Sequence, residues 1–142
     1  MIQGHGDDIY DQSVEIRCNF SSNVDTLQDL SELRAYLVDK ISQIHSYPEP
    51  DASSFARLVA SKNRVSPDNV CVTNGATEAI YLIAQAFRGS NTAVVIPTFS
   101  EYEDACRLNS HELSFYTNLS SIPLSVDLVW LCNPNNPTGK VY

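Results

Sequence analysis

"NVCVTNGATEAIYLIAQAFRGSNTAVVIPTFSEYEDACRLN", residues 69–109, switches repeatedly between short apolar runs and helical periodicity. Residues 69–73 form a short apolar run bounded by polar residues and read as a strand. Residues 76–88 carry helix-forming residues with an apolar face, and Gly89 follows where a helix commonly ends in the left-handed conformation. The pattern then repeats, with a strand expected at 92–97 and a helix at 100–109. Further on, 113–117 and 127–132 read as strands. The runs 69–73, 92–97 and 127–132 are almost wholly apolar, as in strands covered by helices on both faces. Strand and helix in alternation predict an α/β fold whose mainly parallel sheet is flanked by helices.

Upstream of this stretch the chain is organised differently. Residues 1–26 are polar and irregular, with one short alternating piece near 14–20. From Leu27 to His45, Leu30, Leu33, Leu37, Ile41 and Ile44 recur at steps of three and four, which predicts one face of an amphipathic helix. "SYPEPD" (46–51) interrupts it with two prolines, and a shorter helix is expected at 53–62, burying Phe55, Leu58 and Val59. The expected division is an N-terminal arm and helix over 1–45, then the first part of a larger domain over 46–142.

Composition narrows the function classes. Apolar residues make up 43% of the 142 and charged residues 18%, an ordinary globular balance. The formal charge of −8, with no basic run, argues against a nucleic-acid partner, whose phosphates require clustered Lys and Arg. The longest apolar runs are strand-sized, so no membrane span is expected, and no secretory signal is read in the polar N-terminus. Cys18, Cys71, Cys106 and Cys132 are scattered without C-x-x-C spacing. They read as buried free thiols of a reducing cytoplasm, not as a metal site or disulfide framework.

In open α/β sheets, ligands bind beyond the carboxyl ends of the strands. Three such segments carry suitable chemistry. In "NGATE" (74–78), Gly75, Ala76 and Thr77 stand where a strand passes into a helix. Backbone N–H groups and the helix dipole there suit an anion such as phosphate, or else Asn74 simply caps the helix. In "PTFSEY" (97–102), Phe99 and Tyr102 can stack on a planar ring or pack the following helix. In "NPNNPTG" (133–139), two prolines fix the directions of Asn133, Asn135 and Asn136, whose amides can donate to a ligand oxygen; either X-Pro bond could be cis. Phosphate cradle, aromatic platform and amide donor on successive strand ends suit an aromatic ring bearing a phosphate and a polar substituent.

These three segments, in this order and spacing, resemble the fold-type I pyridoxal-phosphate enzymes of the class I/II aminotransferase group. Within it, "HGDDI" (5–9) and "NFSSNV" (19–24) are similar to the threonine-phosphate decarboxylases of cobalamin biosynthesis. Histidinol-phosphate aminotransferases are the near relatives, and "SYPEPD" resembles a Tyr-Pro segment of both. The resemblance implies pyridoxal 5′-phosphate as cofactor. Gly75, Ala76 and Thr77 would hold its phosphate, Phe99 would stack on its ring beside Tyr102, and Asn136 would bond the ring hydroxyl. It further implies a cytoplasmic homodimer with shared active sites, in which Tyr47 reaches the neighbouring subunit's cofactor. His5, Gly6, Asn23 and Asn136 would contact a phosphorylated amino acid.

The implied reaction is decarboxylation of L-threonine O-3-phosphate to (R)-1-amino-2-propanol phosphate, with amino transfer from histidinol phosphate or a related substrate as the alternative. A non-catalytic phosphate-binding α/β module is a second alternative. The chain departs from the family in several respects: it carries no match to the aspartate that pairs the pyridine nitrogen, to the arginines that bind substrate carboxylate and phosphate, or to the catalytic lysine. Lys40, Lys62 and Lys140 do not match the expected Schiff-base lysine, which the family carries downstream of "NPTG", and no catalytic residue is assigned in this segment. The expectation is therefore an N-terminal piece of a longer enzyme, inactive and poorly folded alone, with an open sheet edge.

Overall fold

The computed structural model describes residues 15–18, 20–25 and 27–142. His5, Gly6 and residues 14 and 19 of the alternating piece near 14–20 lie outside them. The chain divides into two compact units, one ending at Val72 and the other running from Thr73 to Tyr142.

In the first unit, α1 spans Ser31–Lys40 and runs into a 3-10 turn over Ile41–His45; α2 spans Ser53–Asn63. Carboxylates supplied by the preceding turns begin both helices. Asp29 accepts from the Ser31 N–H at 2.9 Å, and this bond holds its carboxyl below the usual range. Ahead of α2, the Glu49 carboxylate accepts from the Ser54 N–H at 2.9 Å and the Ser53 hydroxyl at 3.0 Å. Its pKa is lowered by the two Ser54 bonds first, then by Ser53. The Pro-Glu-Pro-Asp turn thus both ends one helix and caps the next.

The helices form where expected, but their apolar faces are not buried. Leu37 is 56% exposed and Ile44 71%, and Leu30, Leu33 and Ile41 are also open. In α2 the buried residues are Ala56 and Ala60, whereas Phe55 and Leu58 are exposed and Val59 is half-buried. Periodicity reports which side chains share a face, not whether anything covers that face.

The second unit holds α3 (Gly75–Ala86), β1 (Asn91–Val95), α4 (Glu101–Leu108), β2 (Glu112–Tyr116) and β3 (Leu128–Trp130). The sheet is parallel with order β2-β1-β3, so β1 lies at its centre. Thr92, Ala93, Val94 and Val95 are consecutively buried, which requires cover on both faces. Ile80 and Ala84 of α3, Ala105 and Cys106 of α4, Val94 and Trp130 form the core. Burying Trp130 alone contributes roughly 4–5 kcal/mol at ~25 cal/mol per Å².

Two polar ties set the register around β1. The buried His111 meets the Ala84 carbonyl through Nε2 at 2.8 Å and the Thr92 hydroxyl through Nδ1 at 2.7 Å. A carbonyl only accepts, so Nε2 is the donor on the Ala84 side. At the start of the sheet, Asp127 Oδ2 accepts from the Asn91 N–H at 2.9 Å.

Two sequence expectations are corrected. Residues 69–73 do not form a strand: Pro67–Asn69 is a 3-10 turn, and 70–73 pair with nothing among the described residues. Val70 has extended dihedrals, but a strand also requires a neighbour to receive its N–H and C=O groups. Of the cysteines, only Cys106 is buried; Cys132 is half-buried, and Cys18 and Cys71 are exposed. Burial pushes the Cys106 thiol up, partly opposed by the indole N–H that Trp130 donates to it at 3.1 Å.

Candidate functional site

β1 and β3 are parallel, so both end on one sheet edge, with Val94 opposite Trp130. The short 87–90 connection reverses the chain between α3 and β1; Gly89 within it has φ +76°. α3 is ~18 Å long, close to the ~17 Å of β1. Its N-terminus is therefore brought back toward the edge where β1 and β3 end. The segments at 74–78, 97–102 and 131–139 share that edge.

The helix start is open to solvent. Gly75 has φ +84°, a left-handed value that favours glycine, and an added Cβ would meet nothing within 4 Å. The Asn74 side chain makes no capping bond. Instead the Glu78 carboxylate reaches back to the Asn74 N–H. That leaves the N–H groups of Ala76 and Thr77 among the first-turn donors without an acceptor inside the helix. The Thr77 hydroxyl has no hydrogen-bond partner among the described residues and is exposed. Free donors on a positive helix end form an anion-binding arrangement.

Next along the edge stands an aromatic group. Tyr102 stacks on Trp130 at 4.8 Å and 24°, and Phe99 meets Tyr102 edge-on at 6.2 Å and 89°. Phe99 is half-buried against the core cluster, so its ring is held in place yet partly open. The Tyr102 hydroxyl is pushed up to about 12, by burial first and then by the Cys132 thiol beside it. It therefore remains a neutral donor through the physiological range. The Tyr81 hydroxyl is also raised to about 12, by burial foremost and by the Glu101 and Asp104 carboxylates.

The turn after β3 separates its asparagines by role. Asn135 is 6% exposed and fully engaged. Its Nδ2 donates to the Pro97 carbonyl at 3.0 Å and to Thr138 Oγ1 at 2.8 Å, and its backbone exchanges bonds with Gly139 and Lys140. Asn136 is half-buried and its carboxamide has no partner among the described residues; its N–H donates to Cys132 Sγ at 3.3 Å. Asn133 Oδ1 accepts from the Tyr142 N–H at 3.2 Å. The peptide bonds before Pro97, Pro134 and Pro137 are cis.

The edge thus presents unpartnered donors on an open helix start, a part-open aromatic face and a free carboxamide on a pinned turn. This donor set fits a phosphorylated aromatic ring with a hydroxyl substituent. Sequence reasoning set Gly75, Ala76 and Thr77 at a helix start and Phe99, Tyr102 and Asn136 beyond two strands; the former open α3, and the latter follow β1 and β3. It missed Asn135 and Cys132 as the groups that hold the turn, because three asparagines between prolines look alike in sequence. It also missed Thr98, whose Oγ1 is buried without a partner among the described residues. Tyr47 and Asn23 belong to the other unit. Tyr47 is 100% exposed and lines an open surface hollow of about 630 Å³ with Lys40 and Glu49; Asn23 is exposed. Lys40 pairs with Asp39 at 2.6 Å, and Lys140 lies 4.2 Å from the centre of the Tyr142 ring. Among the described residues no cluster of His, Cys, Asp and Glu could hold a metal, and no helix is long and apolar enough to cross a membrane.

Comparison with known proteins extends this geometry. The family model described as aminotransferase class I and II matches residues 17–142. The crystal structure of L-threonine-O-3-phosphate decarboxylase from Porphyromonas gingivalis superposes with a TM-score of 0.82 and 45% identity, covering 85% of this chain and 38% of the decarboxylase. A histidinol-phosphate aminotransferase of Lactiplantibacillus plantarum is 32% identical over 113 residues, which is 70% of this chain and 32% of that protein. An adenosylcobalamin biosynthesis bifunctional protein of Leptospira interrogans is 30% identical across 95% of this chain and 18% of its own length. The chain spans less than two fifths of the length of each of these three proteins.

Proposed function

The chain belongs to the aminotransferase class I and II family, whose members depend on pyridoxal phosphate, and from that premise we propose that the full-length protein is a threonine-phosphate decarboxylase. The reaction would convert L-threonine O-3-phosphate to (R)-1-amino-2-propanol phosphate, a step of cobalamin biosynthesis carried out in the cytoplasm by a homodimer. The observation that carries this choice is the 45% identity to a solved decarboxylase over most of the chain. The relative named for adenosylcobalamin biosynthesis supports the pathway.

In this proposal the N–H groups of Ala76 and Thr77, with the Thr77 hydroxyl and the close approach that Gly75 permits, hold the cofactor phosphate. Phe99 lies against the ring, Tyr102 lines the same wall as a neutral phenol, and the free Asn136 carboxamide donates to the ring hydroxyl oxygen. When bound, pyridoxal phosphate supplies a ring that accepts the electron pair released as the carboxylate leaves as carbon dioxide. Asn136 also contacts substrate, together with His5, Gly6 and Asn23, and Tyr47 serves the neighbouring subunit's cofactor phosphate. None of these groups is the catalytic lysine of the family. The arrangement binds and orients; it moves no proton.

The second reading, histidinol-phosphate aminotransferase, is favoured by the Lactiplantibacillus relative. One assay separates the two. The full-length protein loaded with pyridoxal phosphate is given a 2-oxo acid with L-threonine O-3-phosphate in one reaction and with histidinol phosphate in a parallel one. Carbon dioxide release with the oxo acid unconsumed is the expected result. Consumption of the oxo acid, with amino transfer from histidinol phosphate and no gas, would replace the proposal by the second reading.

A further inference from the structure

We infer that Asn135 is a positioning residue that locks the Asn136 turn to the Phe99 loop, and so sets the two faces of the cofactor site relative to each other. The inference rests on the cofactor reading above but concerns a residue that contacts no cofactor in it.

Phe99 follows β1 and Asn136 follows β3. Nothing in a parallel sheet fixes two such loops to each other, because the ladder stops at Val94 opposite Trp130. The Asn135 carboxamide bridges them. A carbonyl can only accept, so the 3.0 Å contact with Pro97 fixes Nδ2, not Oδ1, on that side. The second proton of Nδ2 goes to Thr138 Oγ1 at 2.8 Å, which in turn accepts from the Lys140 N–H at 3.3 Å. The Asn135 N–H donates to the Lys140 carbonyl at 2.7 Å, and its own carbonyl accepts from the Gly139 N–H at 2.6 Å. Side chain and main chain of one buried residue therefore close the turn and tie it across the edge. The neighbouring Asn136 keeps its carboxamide free because Asn135 carries the structural bonds. An aspartate here has the same size but would set an acceptor against the Pro97 carbonyl, releasing the cross-edge tie.

The matched control is Asn109, whose Nδ2 donates to the Ala105 carbonyl at 2.9 Å at the end of α4, away from this edge. Full-length wild type, Asn135→Asp and Asn109→Asp are compared in two measurements: the pyridoxal phosphate dissociation constant by titration, and the melting temperature of the cofactor-free form. The expected result is a rise in Kd of about tenfold for Asn135→Asp, no change in Kd for Asn109→Asp, and lowered melting temperatures for both. An unchanged Kd for Asn135→Asp with a lowered melting temperature overturns the inference, since the residue would then be structural only. Should Asn135→Asp fail to fold, Thr138→Val decides in its place by removing the other partner of Nδ2. A Kd raised severalfold upholds the tie, and an unchanged one overturns it. Wild type that does not bind pyridoxal phosphate overturns the cofactor reading itself, and this inference with it.

Discussion

Two helices of this chain carry apolar residues at helical spacing, gathered on one face in α3 and hardly so in α1, and they have different fates. In α3, Ile80 and Ala84 are buried against Val94, Ala105 and Trp130. In α1, none of the residues is buried, and the apolar residues from Leu30 through Leu37 stay open. The difference lies in what is adjacent. α3 is joined to β1 by a four-residue reversal and packs back onto the strand it precedes, whereas the turn after α1 leads only to another helix with small buried residues. A stripe specifies a helix and its inward face; chain connection decides whether an inside exists.

The largest expected effect tests that contrast directly. Trp130→Ala should cost about 3–5 kcal/mol, because it removes a buried indole, its stack with Tyr102 and its bond to Cys106. Leu37→Ala should change stability by no more than about 0.5 kcal/mol. Denaturant unfolding of both variants, made in the full-length protein, measures the pair. A cost for Leu37→Ala approaching that of Trp130→Ala would break the comparison.

A smaller effect is expected at the open helix start. Thr77→Val keeps the shape and removes one hydroxyl donor, so pyridoxal phosphate binding should weaken by about 1–2 kcal/mol, or roughly tenfold. Cofactor titration checks it, with Thr73→Val as the comparison. The Thr73 hydroxyl already donates to the Gly75 carbonyl at 2.9 Å and is not a free donor, so its loss should leave binding nearly unchanged.

Next comes the response to alkali. The folded chain keeps the Tyr81 and Tyr102 phenols protonated up to about 12, against the ordinary value of 10.0. The unfolded chain loses those protons first. Stability of the Thr73–Tyr142 region should therefore hold below about pH 10 and fall as pH rises from there toward about 12. Unfolding at stepped pH measures this, and Tyr102→Phe should flatten the fall.

The smallest effect is one of rate. Thiol alkylation should modify Cys18 and Cys71 quickly, Cys132 more slowly, and Cys106 only on unfolding, following their exposure. Rapid loss of the Cys106 thiol in the folded chain would contradict the core as described.

Much of this was legible in sequence, and the exceptions share a cause. The helix at α3, the strand at β1 and the αL role of Gly89 follow from periodicity and from a glycine that tolerates positive φ. Two site segments were legible because they follow the ends of β1 and β3, and the third because small residues open the helix α3, so local order along the chain already gives position. Three features were not legible: the missing strand at 69–73, the open face of α1 and the division of labour between Asn135 and Asn136. Each depends on a partner far away in the chain. The Pro97 carbonyl that distinguishes Asn135 from Asn136 lies 38 positions upstream, and no local pattern announces it.

On the proposed function, the carboxyl edge of the sheet holds a phosphorylated ring between the start of α3, Phe99 and Asn136. A crystal structure of the full-length protein with pyridoxal phosphate tests it most directly. The expected result is the phosphate on the Ala76 and Thr77 N–H groups, the ring against Phe99 and its hydroxyl oxygen within hydrogen-bond reach of the Asn136 carboxamide. A cofactor bound elsewhere, or one whose phosphate does not touch the α3 N-terminus, would contradict it.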